Sequence, residues 1–441
     1  MTVERSSSPL FFCLGTLPVS RPSDAILNYR LSLTSLDKNK IKVLLLEGVD
    51  PSAVEAFRED GYGEIEYHKK PLSGADLLTA VHDAYIVGIR SATQLTEKIF
   101  EAAPRLMTVG CFCIGTNQVN LGAAQDRGIP VFNAPFSNTR SVAELVLAET
   151  ILLMRGIPQR NSLAHRGAWA KTATGSHEVR GKTLGIIGYG HIGTQVGVLA
   201  EALGMRVVFY DIEAKLELGN AHQLPALEDL LGRADVVTLH VPETPQTKNM
   251  MGPAEMALMK PGSCLINASR GTVVDIAALV DALDSGHVGG AALDVFPAEP
   301  KAGEEFVSPL RGRDNVILTP HVGGSTEEAQ RNIGREVAEK LIRYSNNGST
   351  LAAVNFPEVT LPEHPGHHRL MHIHRNQPGV LSRINAIFSE ERINVAAQYL
   401  QTNATIGYVV IDIETEEREE SLNLRRRLDG VEGTIRTRIL Y

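Results

Sequence analysis

Three polar residues in the second half of the chain are of the types that together dehydrogenate an alcohol. Arg270 follows a short apolar run, Glu299 lies within Pro-Ala-Glu-Pro, and His321 precedes two glycines. A histidine accepts a hydroxyl proton near neutral pH, a neighbouring carboxylate stabilises the imidazolium, and a guanidinium binds a substrate carboxylate through paired donors. We therefore predict an acid/base pair beside an anion-binding arginine, the alternative being three unrelated packed polar side chains.

A glycine-rich segment further upstream has the spacing of a dinucleotide-binding turn. Gly188, Gly190 and Gly193 form G-x-G-x-x-G between an apolar run and an amphipathic segment. Such glycines allow a tight turn, a close approach of backbone to pyrophosphate and close helix packing, and the helix N-terminus attracts the anion. Asp211 follows at the end of the next apolar run, where a carboxylate binds the adenosine ribose and repels the extra phosphate of NADP. The sequence therefore predicts NAD as the cofactor.

The elements that must position these residues are short apolar runs that alternate with amphipathic segments. This alternation predicts parallel strands joined by helices. The predicted strands are 41–46, 84–89, 106–111 and 130–134 in a first series, and 183–187, 206–210, 236–241, 264–268, 291–295 and 316–319 in a second. An apolar helix over 144–155 is predicted to join the two series, and the second has the pattern of a doubly wound sheet.

A third section follows a linker rich in proline. Predicted strands over 370–374, 395–401, 408–413 and 434–440, with a helix after the first and another before the last, give a β-α-β-β-α-β order. That order is the ferredoxin-like plan. His372 and His374 share one strand face, but no acidic or cysteine ligand lies nearby in sequence, so no metal site is predicted.

Composition limits the function classes. The 441 residues carry a formal net charge of -8, which disfavours a nucleic-acid partner. Only four cysteines are present, which indicates a reducing compartment and a cytoplasmic location. No run approaches the roughly 18 apolar residues that a membrane span needs, so no membrane association is predicted. For residues 1–36 we predict a disordered extension.

The motifs over 184–211, 259–275, 291–300 and 319–324 resemble the D-isomer-specific 2-hydroxyacid dehydrogenase family. The resemblance implies that Arg270 holds the substrate, Glu299 supports the base and His321 is the acid/base. It also implies the cofactor-binding set Gly188, Gly190, His191, Ile192, Gly193, Asp211, Ala268, Ser269, Arg270, Asp294, His321, Gly323 and Gly324. The implied fold is α/β, with a Rossmann NAD-binding domain (138–323) inserted in a flavodoxin-like substrate domain (37–137 and 324–366), followed by a ferredoxin-like ACT domain (367–441).

Segments 110–117, 132–140, 165–169 and 355–358 resemble the bacterial branch of this family that oxidises D-3-phosphoglycerate. This resemblance implies formation of 3-phosphohydroxypyruvate, the first step of L-serine synthesis, and a side activity on 2-oxoglutarate. A phosphate ester needs cationic partners. Arg90 is the main candidate, and Lys69, Lys171 and Asn138 are further candidates. Relatives often carry a second arginine where this chain has Ala92, which removes one charge from the expected phosphate site.

The segment 372–381 resembles an ACT domain, a small module that senses amino acids. By this resemblance His374 and Asn376 bind an effector, L-serine, together with Asn394 of a second subunit, and the assembly is a homotetramer. Two other readings stay open. One is a D-lactate, glyoxylate or hydroxypyruvate reductase of the same family, and the other is a non-enzymatic NAD-sensing corepressor, but neither usually carries such a tail.

Overall fold

The computed structural model describes residues 36–300, 303–364, 366–414 and 418–440. The predicted disordered extension therefore lies, apart from Leu36, outside the described residues. Among these residues, every helix is too short or too polar to cross a lipid bilayer.

The first sheet is parallel and has the strand order β2-β1-β3-β4-β5, which is the flavodoxin-like order. Its strands are β1 (Val43–Leu45), β2 (Ile65–Tyr67), β3 (Ile86–Ile89), β4 (Thr108–Cys111) and β5 (Val131–Asn133). The helices between them are α1 (Pro51–Glu59), α2 (Gly74–Val81), α3 (Glu97–Glu101) and α4 (Leu121–Asp126). Apart from the edge strand β2, the strands of this sheet are fully buried, as expected for a parallel sheet covered on both faces.

A long helix leads from the first sheet into the second. Helix α5 (Thr139–Met154) begins five residues before the predicted start at 144, and α6 (Ile157–His165) follows it. The early turns of α5 were missed in the sequence because Thr139, Arg140 and Ser141 are polar. Val142, Ala143 and Val146 are buried and pack this helix against the second sheet.

The second sheet is also parallel, with the order β12-β11-β10-β9-β6-β7-β8, the doubly wound arrangement. Its strands are β6 (Thr183–Ile187), β7 (Arg206–Tyr210), β8 (His222–Gln223), β9 (Val236–Leu239), β10 (Ser263–Asn267), β11 (Val288–Leu293) and β12 (Val316–Leu318). The intervening helices are α7 (His191–Ala202), α8 (Leu227–Arg233), α9 (Pro253–Leu258) and α10 (Ile276–Asp284). The carboxyl ends of β10, β11 and β12 are neighbours, which places the loops that carry Arg270, Glu299 and His321 side by side.

After β12 the chain returns to the first sheet through α11 (Glu327–Asn347). This helix packs on α1, where the Ser52 hydroxyl donates to the backbone oxygen of Arg331 at 2.9 Å. Val337 and Leu341 lie directly over Gly110 of β4, so a side chain at Gly110 would displace the helix. We call the first sheet with α1–α4 and α11 the first lobe, and the second sheet with α5–α10 the second lobe.

The third sheet is antiparallel, with the order β14-β15-β13-β16. Its elements are β13 (His368–Arg375), α12 (Val380–Glu390), β14 (Val395–Thr402), β15 (Ile406–Ile413), α13 (Arg418–Asp429) and β16 (Thr434–Leu440). One face is covered by α12 and α13, and the other packs on the first lobe through Met371, Tyr408 and Phe356. Arg369 is fully buried there, and its guanidinium donates to both oxygens of Asp412, at 2.6 and 2.7 Å.

Candidate active site

The glycine turn lies between β6 and α7, and each of its glycines has a different environment. Gly188 has a φ of +89°, and a Cβ there would lie 2.5 Å from the backbone oxygen of His240. A Cβ on Gly193 would lie 2.2 Å from the backbone oxygen of Gly188, so the helix packs directly on the turn. By contrast, no atom lies within 4 Å of the Cβ position of Gly190, which caps the N-terminus of α7. This open space at a helix N-terminus fits the pyrophosphate of a dinucleotide.

The first residues of α7 lie at the boundary between the two lobes. His191 begins the helix, and its ring packs against Phe136 of the first lobe with centroids 3.8 Å apart and the ring planes tilted by 35°. Ile192 is half-buried against the core of the second lobe. Phe136 is 51% exposed and was not identified from the sequence. An aromatic residue in a loop of otherwise small and polar residues was the signal that could have identified it.

Asp211 follows β7 and contacts the glycine turn directly. Its Oδ2 accepts a hydrogen bond from the Tyr189 amide at 2.8 Å, and its Oδ1 accepts one from the Glu213 amide at 3.0 Å. The carboxylate is half-exposed, so lone pairs remain for the hydroxyls of a ribose. The two amide contacts hold it in place beside the turn that would bind pyrophosphate.

Replacing Asp211 by alanine should reduce the preference for NAD over NADP. The substitution removes the acceptor for the ribose hydroxyls and the charge that repels a 2′-phosphate, so the ratio of kcat/KM values should fall about 30-fold. The measurement is steady-state kinetics with each cofactor. Asp229→Ala, at an exposed position of α8 in the same lobe, is the matched control. An unchanged ratio would remove Asp211 from ribose recognition.

His321 and Glu299 form a hydrogen-bonded pair beyond the ends of β12 and β11. The Nδ1 of His321 lies 3.0 Å from each carboxyl oxygen of Glu299. The His321 side chain is 55% exposed and the Glu299 side chain is 40% exposed, so the pair faces a cleft. Because Glu299 holds Nδ1, the Nε2 of the ring is left to exchange a proton with a substrate.

The loop that carries His321 is held in a strained conformation by Asp294. His321 has a φ of +54°, which residues other than glycine rarely adopt. Its amide donates to the backbone oxygen of Asp294 at 2.8 Å. The Asp294 carboxylate accepts hydrogen bonds from the Thr319 hydroxyl at 2.6 Å and from the amides of Val322 and Gly323 at 2.8 and 2.7 Å. Asp294 thus fixes the loop on both sides of the histidine.

Arg270 lies in the neighbouring loop, directly after β10. Its guanidinium donates to the backbone oxygen of Ser269 at 2.7 Å and is half-exposed. The Ser269 amide and hydroxyl both donate to Asn267, at 3.1 and 2.8 Å, which stiffens the turn. A Cβ on Gly271 would lie 2.0 Å from the backbone of Phe296, so this loop is packed against the loop of Glu299. Ala268 is half-buried in the core beneath the turn.

A cavity of about 230 Å³ opens beside the histidine–glutamate pair. Its walls are mostly apolar, and the residues that line it are Phe296, Glu299, Pro300, Phe306, Leu318, Thr319, Pro320 and His321. A largely apolar cleft with a few convergent polar groups is the usual form of a small-molecule site.

Two segments of the chain match known families. Residues 147–323 match the family described as D-isomer specific 2-hydroxyacid dehydrogenase, NAD binding domain, and residues 370–435 match the AHAS small subunit-like ACT domain. Proteins named D-3-phosphoglycerate dehydrogenase align over nearly the whole chain. The one from Escherichia coli K12 is 63% identical over 93% of this chain and all of its own length. The one from Haemophilus influenzae is 62% identical over 92% of this chain and 99% of its own.

The chain belongs to the D-isomer-specific 2-hydroxyacid dehydrogenase family. It is an NAD-dependent dehydrogenase, and the predicted combination of two α/β sheets with an ACT sheet is confirmed. A solved D-2-hydroxyisocaproate dehydrogenase superposes with a TM-score of 0.66 at 26% identity, covering 72% of this chain and all of that one. D-lactate dehydrogenase from Aquifex aeolicus, solved with NAD and lactic acid, gives 0.62 at 27% identity, again over 72% of this chain and 100% of its own.

The residues expected to bind a phosphate in this dehydrogenase lie in the first lobe around Glu47. Its carboxylate accepts hydrogen bonds from the amides of Ala92 at 2.9 Å and Thr93 at 2.7 Å. These amides belong to the loop that follows Arg90 and are therefore already engaged. The segment with Lys69 lies next to Glu47 and Gly48, since a Cβ on Gly48 would be 3.3 Å from the Lys69 backbone oxygen and the Glu47 amide donates to the Lys70 backbone oxygen at 3.3 Å. Glu47 thus brings the two cationic segments together and was not identified from the sequence.

The two other substrate candidates lie apart from this group. Asn138 is the residue directly before α5 at the lobe boundary, is 8% exposed, and its amide nitrogen lies 2.1 Å from where a Cβ on Gly324 would be. Gly323 and Gly324, where the chain crosses back to the first lobe, therefore have no room for larger residues. Lys171 lies in the exposed loop between α6 and β6, two residues after Trp169, which is 88% exposed. Contact between Lys171 and the Arg90 loop is absent from the described part of this chain.

The effector candidates occupy two ends of the ACT sheet. His374 is 4% exposed and packs against Gly407, where burial lowers its pKa, and Asn376 donates to the Asn403 backbone oxygen at 2.7 Å. Asn394 precedes β14, which begins opposite Ile413, the residue that pairs with the other end of β13. Six residues of strand separate the two ends, about 20 Å. One chain therefore does not bring Asn394 to His374.

Among the described residues, no three histidine, cysteine, aspartate or glutamate side chains are grouped as metal ligands. His372 and His374 contact each other at 3.3 Å through their Nδ1 atoms, and His372 also bonds the Thr434 hydroxyl at 2.9 Å. Burial and the neighbouring His374 lower the pKa of His372 to about 4. His372 is therefore a neutral part of the sheet face that contacts α13.

Proposed function

We propose that this dehydrogenase oxidises D-3-phosphoglycerate to 3-phosphohydroxypyruvate, the first step of L-serine synthesis, in the cytoplasm. The observation that carries the substrate assignment is the 62–63% identity, over nearly the whole chain, to proteins named for that reaction. Arg90 and Lys69 are the proposed phosphate partners, because a phosphate ester needs cations and the segments that carry them both contact the Glu47–Gly48 backbone or side chain. Ala92 leaves this site with one fewer charge than the resemblance implied.

In the proposed reaction His321 is the general base. Its Nε2 accepts the hydroxyl proton while the C–H bond of the carbinol carbon breaks, and Glu299 stabilises the imidazolium that forms. Arg270 binds the substrate carboxylate and polarises the developing carbonyl. NAD supplies the acceptor for the departing hydride. The residues proposed to hold it are the glycine turn with His191 and Ile192, Asp211, the Ala268–Ser269 turn, Asp294 and the Gly323–Gly324 crossing.

We further propose that residues 138–323 are the NAD-binding domain, that 37–137 with 324–366 bind the substrate, and that 367–441 regulate. L-Serine is the proposed inhibitor, bound by His374 and Asn376 of one chain and Asn394 of another, because one chain cannot bring the three together. A homotetramer would provide such neighbours. Lys171 and Asn138 remain proposed substrate contacts, and 2-oxoglutarate reduction a proposed side activity.

A substrate panel tests this proposal. With NAD, kcat/KM for D-3-phosphoglycerate should exceed that for D-glycerate about 100-fold, because charge-assisted hydrogen bonds to the phosphate contribute about 3 kcal/mol. D-Lactate and 2-hydroxyglutarate complete the panel, each with and without L-serine, which should inhibit. Arg90→Gln should narrow the gap between phosphoglycerate and glycerate while leaving glycerate oxidation unchanged. A higher kcat/KM for D-glycerate or D-lactate than for D-3-phosphoglycerate would overturn the substrate assignment. Full activity in the presence of L-serine would exclude L-serine as the inhibitor.

A further inference from the structure

Helix α5 carries a buried carboxyl group that the proposed reaction does not use. Glu149 is 2% exposed, and neither of its carboxyl oxygens has a hydrogen-bond partner among the described residues. A buried polar group without a partner costs free energy, and an unpaired buried charge costs far more. Glu149 lies 11 residues after Asn138, the cap of α5, and so faces the same side of the helix. This side also presents Leu145 to Gly323, at the crossing between the lobes.

The elements packed against α5 are α6, α7, β10 and β11. The titratable groups on them are Arg160 and His165 on α6, His191 and Glu201 on α7, Cys264 on β10, and Asp294 directly after β11. Arg160 donates to the backbone oxygens of Arg155 and Thr172, His191 packs against Phe136, and Cys264 is a buried thiol. Burial, and secondly the charge of Asp294, raise the pKa of Glu149 to about 8.

Asp294 lies beside the same side of α5, since a Cβ on Gly323 would be 2.8 Å from its Oδ2 and 3.4 Å from Leu145, one turn before Glu149. Its carboxylate accepts the three hydrogen bonds that hold the 319–323 loop, and its backbone oxygen accepts the His321 amide. We propose that Glu149 is a positioning residue that acts through Asp294: an uncharged carboxyl at 149 lets Asp294 hold the His321 loop, and a charged one loosens that hold. The inference rests on the proposed role of His321. Two negative charges in one buried site repel strongly, and Asp294 would break its bonds to the loop if it moved away.

The pH dependence of catalysis tests this proposal. In the wild type, kcat/KM should fall above pH 8, whereas Glu149→Gln, which stays uncharged, should keep its activity. The ratio of variant to wild type should be near one at pH 7 and about tenfold at pH 9, since about nine-tenths of the Glu149 groups are then ionised. Glu144→Gln, an exposed position on the same helix that pairs with Arg140, is the matched control and should follow the wild type throughout.

Thermal unfolding gives a second measurement that needs no substrate. A pKa raised from an ordinary 4.5 to about 8 means that the folded protein holds a proton which the unfolded chain releases. The stabilisation is therefore fully present below pH 4.5 and lost as the pH rises through 8. The melting temperature of Glu149→Gln minus that of the wild type should increase by several degrees between pH 5 and pH 9.

The possible outcomes separate this inference from the proposed function. If D-3-phosphoglycerate is not the substrate, the rate measurement uses whichever acid the panel identifies, and the unfolding measurement stands unaltered. Glu149→Met, also uncharged and of similar size, replaces the glutamine variant should that one fail to fold. A constant ratio of activities between pH 7 and pH 9 would overturn the proposal. A wild-type kcat/KM that does not fall between pH 8 and pH 9.5 would overturn it without any variant.

Discussion

Replacing His321 by alanine should lower kcat about 1000-fold, within the range of 10²–10⁴ that general acid–base groups contribute. The variant has no group to take the hydroxyl proton, so hydride transfer would have to wait for water to accept it. Cofactor affinity should stay within about twofold, because the glycine turn and Asp211, which dominate dinucleotide binding, are unchanged. The measurements are steady-state turnover with the preferred acid and NADH binding followed by its fluorescence.

A second histidine–glutamate pair of the same lobe supplies the matched control for this experiment. His222 Nδ1 lies 3.2 Å from an oxygen of Glu217, on the exposed edge strand β8. His222→Ala removes a pair of the same type that does not line the cavity and should leave kcat unchanged. Glu299→Gln, which keeps a hydrogen-bond acceptor but not the charge, should lower kcat less than His321→Ala does. Undiminished turnover of His321→Ala would exclude this residue as the base and leave the site without a proton acceptor.

The two parallel sheets were predictable because their strands are apolar and bounded by turn residues. Strand β6 was predicted with the bounds that the structure has, Thr183–Ile187, and most other strands differ by a few residues at their ends. The edge strands β2 and β8 were missed. They are short and half-exposed, with Glu66 in one and His222 in the other, so their positions follow from pairing with a neighbour rather than from local pattern.

In the candidate site, too, some residues could be predicted from the sequence and others could not. The positions of Arg270, Glu299 and His321 beyond neighbouring strands followed from the fold rule that ligands bind at the carboxyl ends of parallel strands. The groups that hold those residues did not follow, because they come from distant parts of the chain. Asp294 grips the His321 loop, and Glu47 holds the loop after Arg90 across 45 residues of sequence. Single residue types carry no signal for such pairings.

The residues proposed to act in binding and catalysis come from both lobes. The cofactor turn and the acid/base pair belong to the second lobe, whereas Arg90, Lys69 and Phe136 belong to the first. The crossings at Asn138 and Gly324 lie against each other, and Gly323 lies against Asp294. A change in the angle between the lobes would therefore shift Asp294, the residue that holds the His321 loop.

Replacing Arg270 by glutamine should lower kcat/KM for the substrate by about 100- to 1000-fold, because a bidentate, charge-assisted contact with a carboxylate is lost. Most of the effect should appear in KM, since the carboxylate is bound in both the ground state and the transition state. A smaller fall in kcat should accompany it, because the same guanidinium polarises the carbonyl that develops. Arg270→Lys keeps the charge but not the planar pair of donors and should recover only part of the loss.

The contrast between these variants decides what Arg270 does. Arg180→Gln removes an exposed guanidinium that pairs with Glu178 in the same lobe, so it controls for the loss of one positive charge. If Arg180→Gln lowers kcat/KM as much as Arg270→Gln does, the effect is long-range electrostatics and not a contact. If Arg270→Lys is as active as the wild type, the site needs a positive charge but not the planar pair of guanidinium donors. A loss confined to Arg270, with lysine intermediate, would mean that the guanidinium touches the acid end of the substrate directly, because charge alone cannot distinguish arginine from lysine at one position.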